Sequence, residues 1–188
     1  MTSMNLTSTS GERNLGIQWV VATVVGWGIG FFLCEALNAF LASFTHSDGL
    51  VIGTAVGVAQ GLVLRRRIAP MGWWVLTSAI GFGVGKALGE AVGQGMPAVL
   101  GHGLAGAIIG AVVGVAQWLV LRGRVARAEW WVVANVVAWA IGWSVISLVE
   151  HAEGTSTLVV YLVGGAGAAM AGIVTGIALI ALSRTRPA

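Results

Sequence analysis

Gly110-Ala-Val-Val-Gly-Val-Ala-Gln-Trp-Leu-Val-Leu-Arg122 is an apolar run interrupted by two glycines four apart and by one amide, and it ends on a cation. At helical spacing Gly110 and Gly114 share a face, and Gln117 falls close to it. The stretch therefore reads as a helix whose small-residue side admits a neighbouring backbone and whose arginine stops at a membrane surface. An earlier copy runs Gly53-Thr-Ala-Val-Gly-Val-Ala-Gln-Gly-Leu-Val-Leu-Arg65. A worn third copy, Ala168-Ala-Met-Ala-Gly-Ile-Val-Thr-Gly-Ile-Ala-Leu-Ile180, keeps Gly172 and places Thr175 where the others have glutamine.

The composition agrees with a chain solvated by lipid. Of 188 residues, 57% are hydrophobic, 9% are charged and 29 are glycine, whereas a soluble domain carries about 25% charged residues. The net charge of +3 does not point to nucleic acid, because the arginines stand singly or in short groups at the ends of apolar runs instead of covering one water-facing surface. The single cysteine, Cys34, excludes an internal disulfide and reads as a small buried hydrophobe. Phe31-Phe-Leu-Cys34 is not a lipoprotein cleavage site, since Leu33 is too large for that signal. Residues 1–14 are polar, lack a basic cluster ahead of a short apolar run, and are expected to be a disordered tail and not a signal peptide. A second short tail is expected over 183–188.

Six apolar segments can be drawn, roughly 15–41, 50–64, 73–93, 98–121, 130–149 and 157–182. A span needs about 20 apolar residues, so the second is short and its start is expected within Phe44 to Gly49, or the helix is tilted by its neighbours. Polar and apolar residues do not alternate, which excludes barrel strands. The expected class is an all-α integral membrane protein with six transmembrane helices in one domain, 15–182.

Arginines set the orientation. Arg13 precedes the first segment, Arg65, Arg66 and Arg67 follow the second, Arg122, Arg124 and Arg127 follow the fourth, and Arg184 and Arg186 follow the sixth. Asp48, Glu150 and Glu153 occupy the opposite loops, so both termini are expected on the cytoplasmic side of a bacterial inner membrane. Trp19, Trp73, Trp74, Trp130 and Trp131 open the odd segments and read as an interfacial belt with wet N–H groups. Those openings also repeat: Trp19-Val-Val-Ala-Thr, Trp74-Val-Leu-Thr-Ser and Trp131-Val-Val-Ala-Asn align. The unit is a helical hairpin of about 55 to 58 residues, used over 15–67, 68–124 and 125–182 as parallel repeats, which implies pseudo-threefold symmetry.

Helices in lipid associate where small residues let backbones approach. Gly53, Gly57 and Gly61 form one ridge, Gly81, Gly85 and Gly89 a second, and Gly106, Gly110 and Gly114 a third. The ridges face either neighbouring helices of the chain or another membrane protein, whether a partner or a second copy. Gly110, Gly114, Gln117, Trp118, Leu121 and Arg122, with Trp130-Trp131 opening the next helix, resemble a group of small uncharacterised bacterial membrane proteins. The resemblance covers 15–182 loosely and 110–143 best, departs at Gly61, and implies no activity.

Ionisable groups inside hydrocarbon are the best functional lead, because burying one costs about 2.5–3.5 kcal/mol on insertion scales. Lys86 lies about 18 Å along a core of about 30 Å, counted from Trp74. Glu90 follows one turn later on the same face, and the turn near Met96-Pro97 brings His102 to similar depth on the next helix. Glu35 occupies the place of Glu90 in the first repeat, and Ser147 does so in the third. Glu35, Lys86, Glu90 and His102 thus form a candidate ligand or ion site in the outer half of the bundle. The competing reading is a lysine and glutamate that neutralise each other and a histidine bonded to a carbonyl.

Gln60, Gln117 and Thr175 read as interhelical hydrogen-bonding groups, or as a polar ring lining a pore. Trp27 and Trp139, matched by Phe82, lie at mid-membrane and either fill space beside glycines or form a flat pocket for a pigment or quinone, with His102 as an axial ligand. No cofactor follows from one histidine. Gly142-Trp-Ser-Val145 lacks the glycine of a nucleophile elbow, His46 with Asp48 and His151 with Glu150 and Glu153 are too sparse for a metal site, and no phosphate loop follows a strand. The expected function is non-enzymatic: binding or transport of a small solute or ion, with an accessory or assembly subunit of a larger membrane complex, one that holds a pigment, quinone or lipid, as the alternative.

Overall fold

A computed structural model describes residues 3–40, 48–65, 70–150 and 156–184, with backbone alone for 3–10 and 149–150. Phe44, His46, Arg66, Arg67, His151, Glu153 and Arg186 lie outside the described residues, as does the side chain of Glu150. The described residues form six helices: α1 (Ser3–Phe40), α2 (Asp48–Leu64), α3 (Met71–Gly93), α4 (Ala98–Leu121), α5 (Trp130–Glu150) and α6 (Thr157–Ser183). Five are long and apolar enough to cross a membrane. The exception is α2, which at 17 residues rises about 26 Å, a little less than the hydrocarbon thickness. The chain is therefore a membrane protein, in contact with the lipid bilayer.

Residues 3–14, expected as a disordered tail, are helical and extend α1. The physical reason is that no proline breaks the run, Leu15 is buried, and Glu12 forms a salt bridge with Arg184 at the end of α6 (Nε to Oε1 3.0 Å).

The helices form a closed ring. Each packs on the one before and the one after it, and α1 packs on α6. Glycine makes this approach possible, because a methyl built at Gly81, Gly85 or Gly89 of α3 would stand 2.8–2.9 Å from the backbone of Val113, Ile109 or Ala105 of α4. Gly106, Gly110 and Gly114 face the backbone of α5 at Trp139, Asn135 and Val132, while Gly53 and Gly57 face Ser78 and its neighbours on α3. The three glycine ridges therefore lie in seams of the chain itself.

Large apolar side chains turn outward. Ile17, Val21, Val25, Ile29 and Phe32 are exposed along α1, and α3 shows Leu76, Ile80, Val84 and Leu88 in the same way. The polar groups Thr23, Gln60, Ser78, Gln117, Asn135 and Thr175 are buried. A soluble bundle has the opposite arrangement, and only a lipid solvent makes this one favourable.

Candidate functional site

The two ends of the ring differ. At the end bearing the arginines, Trp19, Trp74 and Trp131 are each 0% exposed and stand in mutual contact, with ring centroids 5.7–6.0 Å apart and planes inclined at 59–75°. Leu15, Leu64, Leu121, Leu179 and Leu182 belong to the same core. The expected interfacial belt is thus corrected for three of its five members. Trp73 and Trp130, at 61% and 57% exposed, face outward, but their neighbours Trp74 and Trp131 point inward, because one step along a helix turns a side chain by about 100°.

Buried indoles need hydrogen-bond acceptors. Trp74 donates to Gln60 Oε1 at 3.3 Å, Trp131 to Gln117 Oε1 at 2.9 Å, and Trp19 to Thr175 Oγ1 at 2.9 Å. The amides in turn donate sideways, Gln60 to Thr23 Oγ1 and Gln117 to Ser78 Oγ, both at 3.0 Å. Thr23, Ser78 and Asn135 each bond the carbonyl one turn back, at Trp19, Trp74 and Trp131. Every buried side-chain nitrogen and oxygen among the described residues has a partner. Gln60, Gln117 and Thr175 therefore bond between helices and do not line an open pore.

Above this layer Phe82 and Trp139 pack edge to face, with centroids 4.7 Å apart at 87°. The void that they share with the tryptophans and amides measures about 10 Å³, room for one water at most. A flat pocket between Trp27, Phe82 and Trp139 is not formed, because two of these rings close on each other and Trp27 instead stacks on Phe31, with centroids 5.2 Å apart.

The opposite half of the ring is open. A cavity of about 710 Å³ is lined from all six helices, and it brings together Glu35, Lys86, Glu90 and His102. Lys86 is the hub of an ion-pair chain, bonded to Glu90 one turn later and to Asp48 Oδ2 at 3.2 Å. Asp48 opens α2, where a carboxylate is favoured by the helix dipole. In the sequence Asp48 reads as a loop charge, or with His46 as too sparse a pair for a metal. Its partnership with Lys86 follows from Gly49, whose missing side chain lets α2 lie against Gly83 and Lys86.

His102 stands on the neighbouring helix α4, where Nδ1 lies 2.8 Å from the Ala98 carbonyl and the ring is roughly parallel to Trp143, 6.3 Å between centroids. The antiparallel register Gly89–Ala105 and Gly93–Gly101 puts Glu90 and His102 within two residues of equal depth. They share the cavity. Glu35 lines the same space from α1, beside Cys34 and Asn38, and has no ion-pair partner among the described residues. Ser147, at the corresponding place on α5, is buried against the Ser144 carbonyl and does not line the cavity. Trp27, Phe31, Ile52, Ala105, Trp143 and Ile146 form its apolar walls.

Such a vestibule can hold a small amphiphilic molecule. No group of three or more histidine, cysteine, aspartate or glutamate side chains among the described residues is arranged to hold a metal ion. Comparisons with protein-family models, with curated proteins and with solved structures give no match.

Proposed function

We propose that this chain is a non-enzymatic protein of the bacterial cytoplasmic membrane that binds a small solute in its outer vestibule, for uptake or release across the bilayer. The observation that carries this reading is the 710 Å³ cavity walled by all six helices, in which Glu35, Lys86, Glu90 and His102 meet apolar and aromatic walls. Ligand sites in membrane carriers lie among helices near mid-bilayer, and polar groups there mark the path. We further propose that the ring is three parallel hairpins about a pseudo-threefold axis, with both termini cytoplasmic. In support, Gln60 bonds Trp74 and Gln117 bonds Trp131 across the same separation of 14 residues, and Thr175 with Trp19 closes the circle. The arginines of the described residues all lie at the tryptophan-closed end, which the charge rule assigns to the cytoplasm.

The alternative role as an accessory subunit takes the glycine ridges and the mid-membrane aromatics as contact surfaces for partners. The ridges are occupied by neighbouring helices, and Phe82 and Trp139 pack on each other inside the ring.

Purification from native membranes in mild detergent, with mass spectrometry of small molecules carried along, tests the proposal. Wild type should carry a stoichiometric solute. Glu90→Gln should lose it while keeping the thermal midpoint, since Lys86 retains Asp48. An equal solute load in the variant, or a protein that is empty but held in a stable complex with other subunits, would remove the proposal.

A further inference from the structure

Resting on the vestibule reading, we propose that the ligand class is an organic cation: an ammonium or amidinium head on an apolar body. The charge inventory comes first. Glu35, Asp48 and Glu90 line the space with Lys86, three carboxylates to one ammonium among the described lining residues. The lysine cannot attract an anion, because both Asp48 and Glu90 already engage it. Helix dipoles do not change the balance: α2, α4 and α6 begin at this end while α1, α3 and α5 finish there, so three partial positive ends offset three partial negative ones.

The shape of the lining decides between a bare ion and an organic one. A metal ion needs several close oxygen or nitrogen ligands, and the described residues do not converge in that way. Below the carboxylates the walls are aromatic and aliphatic, with Trp27 stacked on Phe31 on one side and Trp143 on the other. Glu35 lies eight residues beyond Trp27, about 12 Å of helix rise. A cationic head at the level of Glu35 therefore leaves about that depth for an apolar body, and aromatic faces attract a cation that rides lower. Glu35 has no ion-pair partner among the described residues and so is the residue assigned to the head group. The volume exceeds that of a single ammonium ion and falls in the range usual for small-molecule sites, about 300–1,000 Å³.

Calorimetric titration supplies the readout. Full-length protein in detergent would be titrated with benzyltrimethylammonium, with its neutral carbon isostere neopentylbenzene, and with benzenesulfonate. The expected result is binding of the cation with affinity at least about tenfold above the isostere. Glu35→Gln should weaken the cation about tenfold, and Glu35→Asp should restore most of it. Equal or tighter binding of the neutral or anionic probe would overturn the cation assignment while leaving the vestibule a binding site. Failure of all three to bind would overturn the assignment too. The vestibule reading itself fails separately, on the solute load of protein from native membranes.

Discussion

Gln117→Leu is the most informative perturbation of the closed end. The glutamine joins three helices: from α4 it donates to Ser78 of α3 and accepts from Trp131 of α5. Leucine keeps nearly the same volume and loses both bonds. Interhelical hydrogen bonds in a bilayer average about 0.6 kcal/mol and reach about 1.7, so two of them contribute about 1.2 kcal/mol. The Trp131 N–H is then left in a fully buried site, and orphaning a buried donor costs about 1–3 kcal/mol. A loss of about 2–4 kcal/mol is expected. Unfolding in mixed micelles with increasing dodecyl sulfate, followed by circular dichroism, measures it. Trp131→Phe removes the donor instead, and the double variant should cost about 1–2 kcal/mol less than the sum of the singles, because the second substitution removes a bond already absent. An additive cycle, or a Gln117→Leu loss below about 0.5 kcal/mol, would refute the idea that the amide and indole layer holds the ring together.

Three further outcomes follow from the same coordinates. Gly110→Ala places a methyl against the Asn135 carbonyl and the Val136 backbone and should cost about 1–3 kcal/mol by overpacking, whereas Gly28→Ala meets nothing within 4 Å and should leave stability unchanged or raise it by up to about 1 kcal/mol; the two midpoints measured side by side decide it. Trp74→Ala should lower stability by about 3–5 kcal/mol as a buried aromatic truncation, while Trp73→Ala should leave the midpoint nearly unmoved; equal effects would contradict the inward and outward assignment. In a Cys34→Ser background, Met96→Cys should react with an impermeant maleimide from outside intact cells and Glu129→Cys only after the membrane is opened; the reverse pattern would invert the proposed topology.

The helices were legible because lipid leaves little choice: long apolar runs ended by arginine or by the turn at Met96-Pro97 have no other stable form across a bilayer. The burial of Gln60 and Gln117 and the small-residue seams were legible from spacing, since residues four and seven apart share a face. The tryptophans were misplaced because paired indoles at a helix start fit an interfacial belt by composition. A signal existed: the aligned position is Trp19, Trp74 and Trp131 in every odd helix, whereas the residue before it is Gln18, Trp73 and Trp130. The position that varies is the one exposed. The polar residue one turn after each invariant tryptophan, Thr23, Ser78 or Asn135, pointed to the same inward face. Asp48 was missed for a different reason. Its pairing with Lys86 depends on how α2 is offset against α3, which spacing within one helix does not reveal.

Ring closure has a consequence for how the chain is threaded. Gly172 and Gly176 of α6 receive Val20, Thr23 and Trp19 of α1, and Glu12 clasps Arg184 beside that seam. The first and last helices are neighbours in the same sense as any other pair, so the shape has no starting point. Joining α6 to α1 by a short linker and opening the chain between α4 and α5 would give a circular permutant with every seam intact. The order in which the helices are synthesised belongs to the route of assembly and not to the finished ring.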